Sequence, residues 1–183
     1  MEPVGEARLE QTEYGLSPLE IGWYVVNLRD ARWYHANGRG AACDPDGDKP
    51  FDQLGFSLYV LAPGEPMSMY HWEADQEDFL VVAGEAVLVI EGEERPLRAW
   101  DFVHCPPGAS HVIVGAGSEP CFVIAVGARD RSVDKETWGA YPVDETAARY
   151  GASVDEETNR PSVAYAKVGE RAPARFREEW LPR

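Results

Sequence analysis

The chain has 183 residues, 44% of them hydrophobic and 11% aromatic, which predicts one folded domain with a substantial core rather than a disordered chain. Its formal net charge of −15 argues against nucleic acid or an anionic membrane surface as a partner, because both require a basic face. No apolar run approaches membrane-spanning length, and the first six residues lack the features of a secretory signal, so we expect a cytoplasmic protein.

Three cysteines without the pair spacing of a metal site argue against a disulfide framework. Cys105 and Cys121 lie in apolar runs and are predicted to be small core residues. Cys43 stands next to an Asp-Pro-Asp-Gly segment, so we expect it in a loop as an exposed thiol.

The N-terminal part of the chain is predicted to contain an arm, two strands and a loop. Residues 1–20 are polar and glutamate-rich, which predicts a flexible arm. Residues 21–28 and 31–35 are rich in aromatic and β-branched side chains and are predicted to be strands. Residues 37–50 are dense in Gly, Pro, Asp and Asn, as is typical of a loop.

Short apolar runs separated by turn signals follow, with no long helical pattern between them. Such spacing predicts an all-β antiparallel sandwich or barrel. The glutamate-rich residues 91–95 are predicted to be a solvent-exposed hairpin turn. The predicted strands are 54–61, 67–71, 79–82, 86–91, 101–105, 111–114 and 121–126.

The composition changes after about residue 129, so residues 21–128 are predicted to form the barrel domain and residues 129–183 a C-terminal extension. Asp144 is a candidate cap for a short helix ending near residue 150, and Pro161 suits the first turn of a second helix. The extension ends in two large aromatic side chains, which we expect to pack on the barrel or on a partner subunit.

Two histidines and two carboxylates are placed where a small barrel can bring them to one ion. His71 and Glu73 are two residues apart at the end of a predicted strand, so they share a face. Glu77 follows across a turn, and His111 opens another strand after a rigid Pro-Pro-Gly turn. Imidazole and carboxylate together suit zinc, iron, nickel or manganese better than calcium, which prefers oxygen ligands.

The same segments resemble the two sequence motifs of the cupin superfamily. Residues 63–84 resemble the first motif, which has a glycine, then His-x-His, three residues, Glu, six residues and Gly. Residues 100–115 resemble the second motif, which has a Pro-x-Gly-x-x-His core. The 15 residues between them, 85–99, correspond to the compact spacing of bacterial cupins, and the resemblance extends over about residues 54–127.

The resemblance implies a cupin double-stranded β-helix, a jelly-roll-like barrel, here with a short helical C-terminal extension. His71, Glu77 and His111 match metal ligands of the family, whereas Glu73 stands where the family has its second histidine. Trp100 also departs from the motif, because the family has a glycine at that position.

Two interpretations of Glu73 remain open. It is either a fourth ligand, or a sign of a barrel that has lost its metal and binds a ligand through the carboxylates of Glu73 and Glu77. Two close carboxylates in an apolar barrel repel each other unless a cation lies between them, which favours the metal. We therefore expect one divalent transition-metal ion, zinc or iron in preference to manganese or nickel.

The resemblance implies a metal-dependent oxygenase or isomerase that acts on a small organic molecule, with a non-catalytic ligand-binding or sensing module holding a structural metal as the alternative. His104, within the predicted strand 101–105, is the candidate for a proton acceptor if it faces the barrel, although a lone strand histidine is more often structural. No cationic residue beside the motifs is available to bind an acidic substrate, which weakens a sugar phosphate isomerase. We expect a homodimer, since pairing would protect exposed strand edges.

Overall fold

The computed structural model describes residues 3–36, 38–129, 137–168 and 171–181, so parts of the predicted arm, loop and extension lie outside the described residues. Among these described residues antiparallel strands dominate, with two single-turn α-helices and one 3-10 helix near the C-terminal end. The strands are β1 (Leu9–Thr12), β2 (Gly15–Pro18), β3 (Trp33–His35), β4 (Ala41–Cys43), β5 (Leu54–Leu61), β6 (Trp72–Glu73), β7 (Glu77–Ala83), β8 (Glu85–Ile90), β9 (Glu93–Arg98), β10 (Phe102–Cys105), β11 (His111–Ala116), β12 (Cys121–Ala128), β13 (Gly139–Ala140) and β14 (Ala172–Ala174). The helices are α1 (Glu145–Ala148), α2 (Pro161–Ala164) and η1 (Glu178–Trp180).

The barrel consists of two facing sheets. One has seven strands in the order β10-β7-β12-β5-β4-β3-β14, and the other has three in the order β11-β8-β9. A short pair, β13 with β6, lies beside them. The structure confirms the predicted all-β fold of a cupin double-stranded β-helix with few short helices. Side chains between the sheets form the main core, with Leu61, Val81, Val89, Ile113 and Val123 inaccessible to solvent.

A second core covers the outer face of the seven-stranded sheet. Trp33 on β3 is buried there, with its ring centroid 5.5 Å from that of Phe176 and 5.3 Å from that of Trp180. Strand β5 separates the two cores, because Leu58 and Val60 pack with the Trp33 cluster while Tyr59 packs against the main core. The two C-terminal aromatics thus pack within this chain, on the sheet that forms one wall of the barrel.

The N-terminal segment differs from the sequence-based expectation in two places. Residues 9–18, expected within a flexible arm, form the β1–β2 hairpin, where Gly15 lies so close to the carbonyl of Ala31 that a Cβ atom would be 2.4 Å from its oxygen. The predicted strand 21–28 is wrong, since the described residues give it only an isolated bridge between Glu6 and Trp23. Its aromatic and β-branched composition suits a pleated, half-buried surface, and no neighbouring strand supplies one here.

Two further predictions in the barrel required correction. Residues 91–95 are not all turn, because the turn is confined to Glu91 and Gly92 and the next residue begins β9. This strand is exposed on nearly all its residues, so it shows no alternation of polar and apolar side chains. The run 67–71 is not a strand but an irregular segment with bends at residues 67, 68 and 70, tied to β11 by isolated bridges at Pro66 and His71.

The predicted starts of the two α-helices are confirmed. Asp144 caps α1 by accepting a hydrogen bond of 2.7 Å from the backbone N–H of Ala147, and Pro161 occupies the first position of α2. Cys43, by contrast, is fully buried on β4 rather than exposed in a loop, because its strand pairs with β5. Among the described residues no helix is long and apolar enough to cross a membrane.

Candidate metal centre

Three elements of the barrel bring the motif side chains together. Glu77 is the first residue of β7 and His111 the first of β11. His71 lies opposite His111 in a β-bridge, with reciprocal backbone hydrogen bonds of 3.2 and 2.8 Å. The bridge explains why the irregular segment before β6 keeps a fixed position without belonging to a sheet.

Backbone carbonyls fix the orientation of both imidazole rings. Nδ1 of His71 lies 2.8 Å from the carbonyl oxygen of Met69, and Nδ1 of His111 lies 2.9 Å from that of Ala109. A carbonyl oxygen only accepts hydrogen bonds, so both Nδ1 atoms carry the proton and donate it. Each ring therefore has Nε2 as its remaining nitrogen, which is the arrangement that orients metal-binding histidines.

The two Nε2 atoms and one carboxylate converge. Oε2 of Glu77 lies 3.3 Å from Nε2 of His111 and 3.6 Å from Nε2 of His71. One potential ligand atom from each of these three residues lies within 4.8 Å of the others. Nε2 of His111 and Oε2 of Glu77 are also buried without a hydrogen-bond partner in the described part of the chain. Buried polar atoms left in this state fit a metal ion, which would satisfy them.

The pKa shifts agree with a site that stabilises positive charge. Burial opposes ionisation of Glu77, but contact with His111 and the charges of His71 and His111 leave the pKa of this carboxyl below its usual value. Burial likewise opposes protonation of His111, but contacts with Cys105 and Glu77 outweigh it and raise the pKa of this imidazole to about 10. The site therefore favours a positive charge between these side chains, whether a proton or a metal ion supplies it.

Glu73 lies at the edge of this group. Its Oε1 is 3.6 Å from Nε2 of His71, and its side chain is 30% exposed. Among the described residues the compact ligand group contains His71, Glu77 and His111 but not Glu73. The ring of Tyr141 lies 5.8 Å from that of His71, and burial, followed by Tyr165 and Glu73, raises the pKa of its hydroxyl, so Tyr141 remains a proton donor.

The metal-binding group opens into a cavity of about 320 Å³. Alternate residues of β5 face it, which is a signal that strand periodicity could have provided. The tyrosines from the C-terminal extension, by contrast, belong to no motif. The lining residues are Gly55, Ser57, Tyr59, Met67, Ser68, His71, Glu73, Glu77, Phe79, His111, Ala125, Gly127, Ala128, Arg129, Tyr141 and Tyr165.

The cavity also has the cationic surroundings that the sequence motifs do not reveal. Arg129 lines it while contacting Asp46 at 3.2 Å. Arg39 and Arg171 lie behind its wall, where their guanidinium carbons are 4.1 Å and 5.2 Å from the ring centroids of Tyr165 and Tyr59 respectively. These arginines are distant from the motifs in sequence, so no motif spacing could identify them.

His104 does not belong to the cavity. It lies on β10 between two buried residues, Val103 and Cys105, and therefore points to the outer face of the sheet, where its side chain is 52% exposed. Its Nδ1 is 2.7 Å from Oδ1 of Asp78, which is also outside the cavity lining. The expectation that His104 could act on a substrate in the barrel is not supported by this placement.

Comparison with known proteins identifies the barrel. Residues 57–127 match the family model described as a cupin domain. This barrel belongs to the cupin superfamily. The cupin match contains the three converging side chains and most of the cavity wall. A search of curated proteins gave no match.

Several solved structures are similar to the chain. A putative sugar phosphate isomerase from Acidithiobacillus ferrooxidans is 25% identical, with a TM-score of 0.47 over 51% of this chain and 62% of that one. A sugar phosphate isomerase of the cupin superfamily from Silicibacter pomeroyi is 26% identical, with a TM-score of 0.45 over 56% of this chain and 62% of that one. A DMSP lyase from Ruegeria pomeroyi is 23% identical, with a TM-score of 0.44 over 52% of this chain and 50% of that one. The chain thus covers less than two thirds of these structures, and likenesses at such TM-scores assign no activity.

Proposed function

We propose that the cavity binds one divalent transition-metal ion through His71, Glu77 and His111, and a small organic molecule beside it. The observation that carries this proposal is the convergence of two Nε2 atoms and a buried carboxylate, with both rings oriented by backbone carbonyls. Three protein ligands would leave a coordination position for the small molecule, as in catalytic rather than closed structural sites.

Zinc and iron are the metals we favour, because two imidazoles and one carboxylate suit both, while manganese and nickel are also compatible. When bound, such an ion supplies Lewis-acid polarisation of a substrate oxygen or, for iron, a place for dioxygen. Glu73 is proposed as an outer carboxylate that reaches the ion only if the coordination expands beyond the three central ligands.

The surrounding side chains would position and shield the substrate. Tyr141, whose ring lies 5.8 Å from that of His71, keeps its hydroxyl proton, and a bound substrate oxygen would accept this proton in a hydrogen bond in place of the contact with Tyr165. Phe79 and Ala125 supply apolar surface on adjacent strands, which favours exclusion of water from the reacting end. The cavity volume suits a molecule of a few carbon atoms.

The activity we propose is a metal-dependent reaction of the oxygenase or isomerase type. A ligand-binding or sensing module with a structural metal is the second candidate. It is favoured by the outward orientation of His104, which was a candidate proton acceptor only if it faced the barrel and which lies outside the cavity.

Metal analysis of protein purified without added metal tests the proposal. We expect about one transition-metal ion per chain, with anomalous scattering placing it between Nε2 of His71, Nε2 of His111 and the Glu77 carboxylate. Water or a small molecule on the ion would support chemistry, whereas a fourth protein ligand that closes the shell would support the module. Protein that takes up no transition metal even after incubation with zinc or ferrous salts would contradict the site.

We also propose that the protein is a cytoplasmic homodimer. Ile21 and Val25 are 90% and 83% exposed on the N-terminal segment, and burying them against a second subunit would remove apolar surface from water. Light scattering on the purified chain should give twice the monomer mass, and a monodisperse monomer would contradict the dimer.

A further inference from the structure

Arg39, which is buried, and Arg171, which is half-buried, lie beside the cavity without a carboxylate partner among the described residues. Arg39 is 9% exposed, and its Nε atom has no hydrogen-bond partner in the described part of the chain; the same is true of the buried Nε of Arg171. Arg171 donates one hydrogen bond of 2.8 Å to the carbonyl of Met67. Among residues 3–36, 38–129, 137–168 and 171–181, no acidic side chain forms an ion pair with either guanidinium. Buried charged groups are nearly always paired, so guanidinium groups with buried and unsatisfied Nε atoms stand out in a chain of net charge −15.

The fold places both arginines at one end of the same sheet. Arg39 lies in the connection between β3 and β4, followed by Gly40, whose left-handed φ of 65° and contact with Val60 leave no room for a side chain. Arg171 precedes β14, which pairs with β3 through Ala172. The backbone thus holds two like charges near each other, an arrangement that is unfavourable without an anion.

Two tyrosines contact these arginines and also line the cavity. Arg39 lies over the ring of Tyr165 and Arg171 over the ring of Tyr59, and both rings line the cavity. The hydroxyl of Tyr165 accepts a hydrogen bond of 3.2 Å from the backbone N–H of Met69, which leaves its own proton for another acceptor. The wall therefore combines hydroxyl donors with positive charge directly behind them.

We infer that this tyrosine wall, backed by Arg39 and Arg171, is an anion subsite, and that the small molecule bound in the cavity carries a carboxylate or phosphate group. The anionic group contacts the hydroxyls of Tyr59 and Tyr165, while the opposite end of the molecule lies toward His71 and Glu77. The inference rests on the proposed function, because it takes the cavity beside the metal ligands as the place where the substrate binds.

Butanoate and butanamide test the subsite, because the two have the same shape and differ in charge. Their dissociation constants are measured by NMR titration, with both metal-loaded and metal-stripped protein. We expect butanoate to bind at least about tenfold tighter in both forms, since the arginines do not depend on the metal. Equal affinities in the native sequence would overturn the inference.

Variants separate the arginines from other sources of charge. Arg39→Met and Arg171→Met should each reduce the preference for butanoate to about threefold or less, while metal content stays at the native level. Arg32→Met is the matched control, since Arg32 also lies over a tyrosine ring, at 5.3 Å from Tyr34, but outside the cavity and paired with Asp48. A preference that survives both cavity-side substitutions would exclude the subsite.

If the arginine variants fail to fold, Tyr59→Phe and Tyr165→Phe remove only the hydroxyls, and their double variant should lose most of the preference. A double variant that keeps the full preference would overturn the inference. Metal binding without any preference for butanoate would leave the proposed function in place and refute the subsite. A preference for butanoate retained in a chain that binds no metal would support the subsite and refute the proposed metal-dependent function.

Discussion

Glu73 and Glu77 each place a carboxylate oxygen 3.6 Å from Nε2 of His71, yet only Glu77 also approaches His111, at 3.3 Å. Glu77 is the first residue of a strand that is paired on both sides in the seven-stranded sheet, whereas Glu73 ends a two-residue strand outside that sheet. The two carboxylates are thus at the same distance from His71, but only that of Glu77 is close to both histidines of the proposed metal site.

Glu77→Gln and Glu73→Gln form a matched pair that tests this difference. Glu77→Gln should lower metal affinity by at least about 100-fold, because it removes a central ligand, while Glu73→Gln should lower it by about tenfold or less. Competition with a chromophoric chelator measures both. Similar losses in the two variants would make Glu73 a full ligand.

Gly38→Ala and Gly40→Ala test how the chain holds the connection that carries Arg39. Both glycines have positive φ, 76° and 65°, but a Cβ atom on Gly40 would lie 2.3 Å from the carbonyl oxygen of Val60, whereas one on Gly38 would meet nothing. We expect a loss of about 1 kcal/mol in the free energy of unfolding for Gly38→Ala and about 2–4 kcal/mol for Gly40→Ala. Urea unfolding gives both values, and equal losses would show that the contact with Val60 does not matter.

Trp100 is strained by its backbone conformation. Its φ is 75°, a left-handed value that a bulky side chain rarely adopts, and its side chain is 77% exposed. Asparagine tolerates this conformation and alanine does not, so Trp100→Asn should be about 0.5–1 kcal/mol more stable than Trp100→Ala. Thermal unfolding of the two variants measures the difference, and identical stabilities would argue that no strain is stored there.

The buried thiols predict alkaline destabilisation. Burial raises the pKa of Cys43 to about 12 and that of Cys121 to about 11, from 9.0. Their protonated forms therefore stabilise the fold, and this contribution is fully present below pH 9 and is lost progressively as the pH rises from 9 through 11 and 12. Urea unfolding at pH 8 and pH 10.5 should show the decrease, and Cys43→Ala should reduce its slope.

The same burial should make these thiols unreactive in the native protein, because the thiolate is the nucleophile. At pH 8 a disulfide exchange reagent should leave Cys43 and Cys121 unmodified until urea is added. Rapid modification of native Cys43 would favour the exposed loop position that its sequence surroundings suggested.

The residues predicted best from the sequence belong to local patterns. His71, Glu77 and His111 follow motif spacing, and Asp144 and Pro161 follow the rules for helix starts. The sequence did not predict β9, because an exposed strand has no alternation of apolar and polar residues. Residues 21–28 were wrongly predicted as a strand, because high strand propensity does not supply a neighbouring strand for pairing. The arginines and tyrosines of the cavity wall come together only through tertiary packing, so no local pattern marks them.

Strand β5 carries Tyr59 on one side and Leu58 and Val60 on the other, and so belongs to both cores. A substitution on β5 that changes the cavity wall therefore also disturbs the packing around Trp33. Tyr141 and Tyr165, on the segments flanking the helices, instead pack with Met69 and Ala164 in a smaller cluster that does not include Trp33. Selection for a different small molecule would act more readily on those segments, leaving the barrel strands unchanged while the specificity of the chain diverges.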